Sequence, residues 1–289
     1  MVCERLHLRR KDLLLPVAVL PSAHIHYRIF GDTGPWIVVM SGGRKPIDVV
    51  LQFAKTFAQQ GFRVVLYERR NCGRSSMNFK DLRKEEDIWV EDLCHLLDHL
   101  DIEQVSLMGK SRTWRVALGF ALAYPARTLA LGFWGVGGGA KAVRHLNRTY
   151  YGKYIAACAD GGMAEVIKLD QFKQMIALRP KRAARLLALN PVVFTRAMVQ
   201  WQRHFQATAH NVVMGAEDDD LRAITCPTMI VPLYDGLHPT EIAVQVHEMI
   251  ADSDFCDFRA DPDKVWPDAR DEEIAAKLFI GFFKSCSHG

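Results

Sequence analysis

The sequence predicts an α/β protein: a mostly parallel central sheet with helices on both faces, interrupted by a helical cap insertion. Three observations carry this. Short β-branched runs alternate with amphipathic stretches over the first half of the chain. Near Gly137 that alternation gives way to helical periodicity alone, which lasts to about Asp220. From Thr228 the alternation resumes. Strand–helix alternation requires parallel strands joined by right-handed helical crossovers.

Taken in order, Val17–Leu20 and Ile25–Phe30 read as a strand pair. Trp36–Met40 (WIVVM) is a continuous apolar run, as a strand buried on both faces needs. Pro46–Gln60 has helical spacing, with Val50, Phe53, Ala54 and Phe57 on one face. Arg63–Tyr67 is the next strand, and Asp87–Leu100 a helix offering Ile88, Val90, Leu93, Leu96 and Leu97 to a core. Val105–Met108 is a strand, Arg112–Ala123 a helix that stops near Pro125, and Leu129–Trp134 a further strand. After the insertion come a strand at Thr228–Leu233, a helix at Glu241–Ile250, a strand at Phe255–Arg259 and a helix at Asp271–Lys284. Residues 1–136 and 221–289 are therefore expected to form one body, and residues 137–220 a helical cap.

A chain of 289 residues suits a single compact body of this class. Apolar residues make up 49% and charged residues 24%, so no long stretch is expected to be disordered. A net charge of +4, not gathered into a block, gives no reason to expect a nucleic-acid partner. No run approaches the 18 or so uncharged apolar residues of a membrane span. The first twenty residues place basic residues before an apolar stretch, as a signal peptide does. Pro16 and the nearby His24 and His26 break that pattern, so no signal is expected. Seven cysteines are scattered singly from Cys3 to Cys286 with no C-x-x-C pair, which fits reduced thiols in the cytoplasm. The sequence has no metal-ligand spacing, glycine-rich phosphate loop or dinucleotide fingerprint, so neither metal nor cofactor is expected. A small molecule is the expected partner, and a homo-oligomer is compatible with the sequence.

The stretch Val105–Thr113 (VSLMGKSRT) ends a strand, turns sharply and begins a helix. It resembles the G-x-S-x-G nucleophile elbow of the α/β-hydrolases, with Gly109 in place and Thr113 where the second glycine usually stands. Other segments extend the resemblance over nearly the whole chain. Ser41-Gly42-Gly43 follows the WIVVM strand, where the family has its His-Gly oxyanion loop. Glu68-Arg69-Arg70-Asn71-Cys72-Gly73-Arg74-Ser75 is similar to its D-x-R-G-x-G-x-S segment. Ala121–Arg127 (ALAYPAR) is similar to the helix end after the elbow, and Tyr234-Asp235-Gly236 to the loop that carries the catalytic acid. The resemblance implies Ser111 as nucleophile, Asp235 as acid, and the backbone of Gly43 or Arg44 and of Arg112 as oxyanion donors.

The family's histidine normally follows the last strand. Here Lys264 stands about there, and no histidine lies between His247 and His288. Lys264 as base would need desolvation, and Asp261, Asp263 and Asp268 favour its charged form instead. A solvated loop lysine is the plainer reading. His238, three residues after Asp235, is the other candidate base, although a histidine in D-x-x-H-P often serves only to start a helix. His145, His204 and His210 could reach down from the cap. If none substitutes, Ser111 stays unactivated, and generic esterase activity and labelling by fluorophosphonates should be weak. Lys110 and Arg112 flank Ser111, while Arg44 and Lys45 follow the oxyanion glycines. Arg112 in particular is expected at the cleft mouth, where such cations would draw in an anionic substrate.

The expectation is an enzyme of this superfamily acting on a small, anionic and partly apolar molecule. Hydrolysis of an ester, lactone, thioester or C–C bond is the default. A cofactor-free lyase, cyclase, isomerase or decarboxylase, or a relic that binds without turnover, stands beside it.

Overall fold

The computed structural model describes residues 16–213, 215–258 and 268–287. Eight strands form one sheet: β1 (Val17–Val19), β2 (His24–Phe30), β3 (Trp36–Met40), β4 (Arg63–Tyr67), β5 (Val105–Lys110), β6 (Thr128–Trp134), β7 (Thr228–Val231) and β8 (Ser253–Phe255). Their order is β1-β2-β4-β3-β5-β6-β7-β8. β1 and β2 pair antiparallel, as do β2 and β4, and every other pairing is parallel.

Strand alternation explains the two-sided core. Along β3, Val38 and Met40 enter one apolar cluster, and Ile37 and Val39 enter the other. β5 does the same with Val105 and Leu107 against Met108. On one face lie α2 (Glu85–His99), α3 (Trp114–Ala123) and, farther along, α11 (Thr240–Met249). On the other lie α1 (Leu51–Gln59) and α12 (Ala269–Cys286). The first turn of α2 carries Glu85, Glu86 and Asp87, where the helix dipole favours negative charge. α12 starts on a capping box made by Asp268 and Asp271.

Between β6 and β7 the chain runs through α4 (Gly139–Asn147), a π turn (Arg148–Gly152), α5 (Lys153–Gly161), α6 (Met163–Val166), α7 (Asp170–Leu178), α8 (Arg182–Leu187), α9 (Pro191–Ala207) and α10 (Asp218–Arg222). No strand of the sheet lies among its described residues. A β-bridge between Gly138 and Val213 ties its two ends together. Tyr150, Tyr151, Phe172, Phe194, Trp201 and Phe205 bury against one another and against Phe79 and Ile88 of the body. Arg179 and Arg182, beside and in α8, clasp the loop after β4: Arg182 donates to the carbonyls of Gly73, Arg74 (3.0 Å) and Ser75 (2.5 Å). Arg179 donates to the Arg74 carbonyl at 3.0 Å and meets the His26 Nε2 at 3.1 Å.

β8 is three residues long and ends at Phe255, not Arg259 as the apolar pattern suggests. It is an edge strand, paired only through Ser253, Asp254 and Phe255 with β7. The segment holding Lys264 lies outside the described residues.

Candidate active site

β3, β5 and β7 run parallel, so the loops at their C-terminal ends emerge on the same side of the sheet. Ser111 leads the loop from β5. Its φ is +53°, a left-handed conformation that a residue bearing a Cβ adopts only under local constraint. Gly109 is obligatory there, since a Cβ would come within 2.4 Å of the Trp114 nitrogen. Thr113 fits in place of the second glycine because its hydroxyl finds work. Fully buried, it donates toward the carbonyls of Met40 (3.1 Å) and Lys110 (3.0 Å), stitching the end of β3 to the elbow.

The loop after β7 supplies the partner of the serine. His238 Nε2 lies 2.9 Å from Ser111 Oγ. His238 Nδ1 lies 2.9 and 3.0 Å from the two oxygens of Asp235. Asp235 Oδ1 also accepts the backbone N–H groups of Leu237 (2.7 Å) and His238 (3.0 Å). These last two bonds are an Asx turn, which folds residues three apart so that their side chains meet. With Nδ1–H donating to the carboxylate, Nε2 is left to accept the serine hydroxyl. Burial raises the Asp235 pKa, but the hydrogen bond from His238, that ring's charge and the two amides outweigh it and hold the carboxyl below its ordinary range. Of the histidines that the sequence offered, His238 is the one within hydrogen-bond reach of Ser111, and it sits on the same loop as Asp235. His145 and His210 are exposed, and His204 sits 3.3 Å from the Leu82 carbonyl.

The β3 loop closes the other side. A Cβ on Gly42 would lie 3.2 Å from the Ser111 Cβ, and Gly43 has φ +55°. Arg69, from the segment after β4, holds this loop by donating to the carbonyls of Ser41 (2.8 Å) and Gly43 (2.6 Å). Sequence reading had no handle on that role, because the acceptors are main-chain atoms.

The flanking cations are placed differently from expectation. Arg112 is not at a cleft mouth; its side chain is fully buried. It donates to Glu85 (2.7 Å), Glu86 (2.9 Å) and the Tyr151 hydroxyl (2.7 Å). Its guanidinium lies 4.2 Å from the Tyr150 ring centre and 4.7 Å from that of Trp89. Burial opposes the Arg112 cation, but Tyr151, Glu86 and Glu85 prevail and hold it well above its ordinary range. Arg44 is likewise turned inward, paired through both terminal nitrogens with Glu85. Lys110 pairs with Glu272 at 2.9 Å and lies 3.8 Å from the Trp134 ring centre. For the two arginines the physical reason is α2, which delivers two carboxylates to the elbow from its first turn; Lys110 is held by α12 instead.

No group of His, Cys, Asp and Glu among the described residues could hold a metal ion, and no described helix is long and apolar enough to cross a membrane.

No family model matches the chain. Its sequence is 26% identical over 102 residues to a proline iminopeptidase of Clostridioides difficile (strain 630), covering 34% of this chain and 35% of that one. It is 31% identical over 90 residues to the proline iminopeptidase of Lactiplantibacillus plantarum (strain ATCC BAA-793 / NCIMB 8826 / WCFS1), covering 30% and 31%. The matches thus span about a third of these relatives. In three dimensions the chain matches an enol-lactonase from Burkholderia xenovorans LB400 with a TM-score of 0.63, 16% identity, and 93% and 100% of the two chains covered. An esterase from Exiguobacterium antarcticum gives 0.64 at 16% identity, covering 94% and 100%. A meta-cleavage product hydrolase from Pseudomonas fluorescens IP01 gives 0.65 at 16% identity, covering 95% and 99%. The protein has the α/β-hydrolase fold. Within that fold Ser111 lies at the C-terminal end of β5 and Asp235 on the loop after β7. His238 lies on the loop after β7, one strand before the place where the sequence resemblance puts the family's histidine.

Proposed function

We propose that this α/β-hydrolase-fold protein is a serine hydrolase of small, partly apolar acyl compounds: an ester, thioester or lactone. Ser111 is the nucleophile, His238 the general base and then acid, and Asp235 the group that orients and supports the imidazolium. The row Ser111 Oγ–His238 Nε2–His238 Nδ1–Asp235 is the observation that carries this reading. In the first half-reaction Ser111 Oγ bonds to the carbonyl carbon as its proton passes to His238 Nε2, which then gives it to the leaving group. In the second, His238 takes a proton from water as the water oxygen bonds to the acyl carbon, then gives that proton to Ser111 Oγ as the carbon–serine bond breaks and the acid departs. The Gly43 and Arg112 amides are assigned to the oxyanion. Lys264 has no part in this scheme. Residues 137–220 act as the cap over the site. The similarity to an esterase, an enol-lactonase and proline iminopeptidases agrees with acyl transfer to water. A reducing, cytoplasmic setting agrees with the free thiols of the six described cysteines.

Fluorophosphonate labelling and hydrolysis of a 4-nitrophenyl ester test the reading. Labelling of the wild type should disappear in Ser111→Ala. His238→Ala should lower kcat by about 10⁴-fold, as loss of one member of such a row does, with the melting temperature little changed. Rapid labelling that survives His238→Ala would assign the base elsewhere.

A further inference from the structure

Beside the elbow the protein buries more positive charge than negative. Arg44, Arg69 and Arg112 gather around Trp89, their guanidinium carbons 5.7, 5.0 and 4.7 Å from its ring centre. Two carboxylates answer these three cations. Glu85 serves Arg44 and Arg112, and Glu86 serves Arg112 while also facing the buried Arg115. Arg69 has only the neutral carbonyls of Ser41 and Gly43. Moreover Arg44 Nε, Arg69 Nε and Arg112 Nη1 are buried, with no hydrogen-bond partner among the described residues. Buried donors on charged groups, left unmet, are costly, and a net buried charge more so. An anion of one charge with several acceptor atoms would answer both deficits.

Its position links this surplus to the proposed chemistry. Arg112 follows Ser111 directly. The carbonyls held by Arg69 belong to the loop that lies against the Ser111 Cβ. Arg44 is the member nearest solvent, with its side chain 7% exposed against none for Arg112. We infer that Arg44, Arg69 and Arg112 form an anion subsite for a carboxylate on the acyl part of the substrate, which rests on the serine-hydrolase reading. The favoured substrates are then half-esters or half-thioesters of short dicarboxylic acids, attacked at one carbonyl and held by the free carboxylate at the other end.

The test compares the 4-nitrophenyl monoester of glutaric acid with 4-nitrophenyl butyrate. The wild type should prefer the anionic ester in kcat/KM by about ten- to a hundredfold, the worth of a charge-assisted hydrogen bond. Arg44→Met should cut that ratio to near unity, and added chloride should erode it in the wild type. Because Arg44→Met could unfold the protein, binding is also read without turnover. Monomethyl glutarate should raise the melting temperature of Ser111→Ala, whereas methyl butyrate should not. Hydrolysis of both esters at equal efficiency, with no selective stabilisation by the anion, would overturn the subsite and leave the catalytic reading intact. Selective stabilisation of Ser111→Ala in a protein that hydrolyses neither ester would support the subsite and sink the catalytic reading.

Discussion

Two groups of buried arginines join the helical insertion to the body, and they are satisfied in opposite ways. At the elbow, Arg112 of the body meets Glu85, Glu86 and the Tyr151 hydroxyl of the insertion. Across the insertion, Arg182 of α8 meets only main-chain carbonyls, those of Gly73, Arg74 and Ser75. Electrostatics separates them. Burial opposes both cations, but the carboxylates prevail at Arg112 and hold it well above its ordinary range. At Arg182 burial wins, reinforced by neighbouring Arg179, and its pKa falls to about 10. Arg112 is neutralised by carboxylates of its own body and reaches the insertion through the Tyr151 hydroxyl, whereas Arg182 crosses to the body with no carboxylate among its described hydrogen-bond partners, only carbonyl dipoles. The ion pairs of the first lie within the body, between the elbow and α2, so lifting the insertion would break only the Tyr151 hydrogen bond and the Tyr150 ring contact and uncover those ions. The second is a clasp whose acceptors water can replace.

The largest expected effect follows from that asymmetry. Arg112→Ala removes the foremost of the cations that hold the buried Glu86 carboxylate ionised, ahead of Arg115 and Lys84, so unfolding free energy should fall by about 3–5 kcal/mol, the usual cost of breaking a buried pair. Arg112→Met with Glu86→Gln, which removes both charges, should recover much of it. Urea denaturation of the three proteins measures this, and a double variant no better than the single one would break the comparison.

At the clasp the loss should be smaller. Arg182→Ala strands no opposite charge, and carbonyls released from a charged donor cost about 2–3 kcal/mol. The same denaturation curves report it. Proteolysis should sharpen the contrast, with cleavage of Arg182→Ala starting in α7 to α8 before the body is touched. A loss equal to that of Arg112→Ala would mean that the two junctions are one cooperative unit.

How much of this was legible beforehand differs between the same two places. The apolar runs WIVVM and RVVLY gave β3 and β4 to the residue, because a strand buried on both faces leaves no polar position to blur its ends. Ser111 was legible from Gly109 and the strand before it. The direction of Arg112 was not. The left-handed residue before it turns its side chain inward, and its acceptors lie 26 and 27 positions back on α2. His238 was visible only as one candidate among several, since D-x-x-H serves helix starts as well as bases. The Asx turn made by Asp235 is what brings the His238 ring against that carboxylate, and the spacing alone does not reveal it. The clasp left no sequence signal, because main-chain carbonyls are present everywhere.

The smallest expected effect distinguishes the clasp by pH. His26 accepts the Arg179 guanidinium on Nε2, which it can do only when neutral. Burial above all, then the charges of Arg179, Arg74, Arg182 and His24, lowers its pKa from 6.5 to about 4. The folded protein therefore refuses a proton that the unfolded chain accepts between these two values. As pH falls through that window the unfolded state gains, so stability declines from about pH 6.5 and this group adds no further loss below about pH 4. His26→Gln keeps an acceptor for Arg179 but cannot titrate. Its melting temperature should fall less steeply than the wild type's from pH 6.5 to 4, and the two curves should run parallel above pH 7. The elbow junction has no histidine among its hydrogen-bond partners, so Arg112→Met with Glu86→Gln should leave the wild-type slope over that window in place. Equal slopes for wild type and His26→Gln would show that the clasp is open, or His26 solvated, in solution.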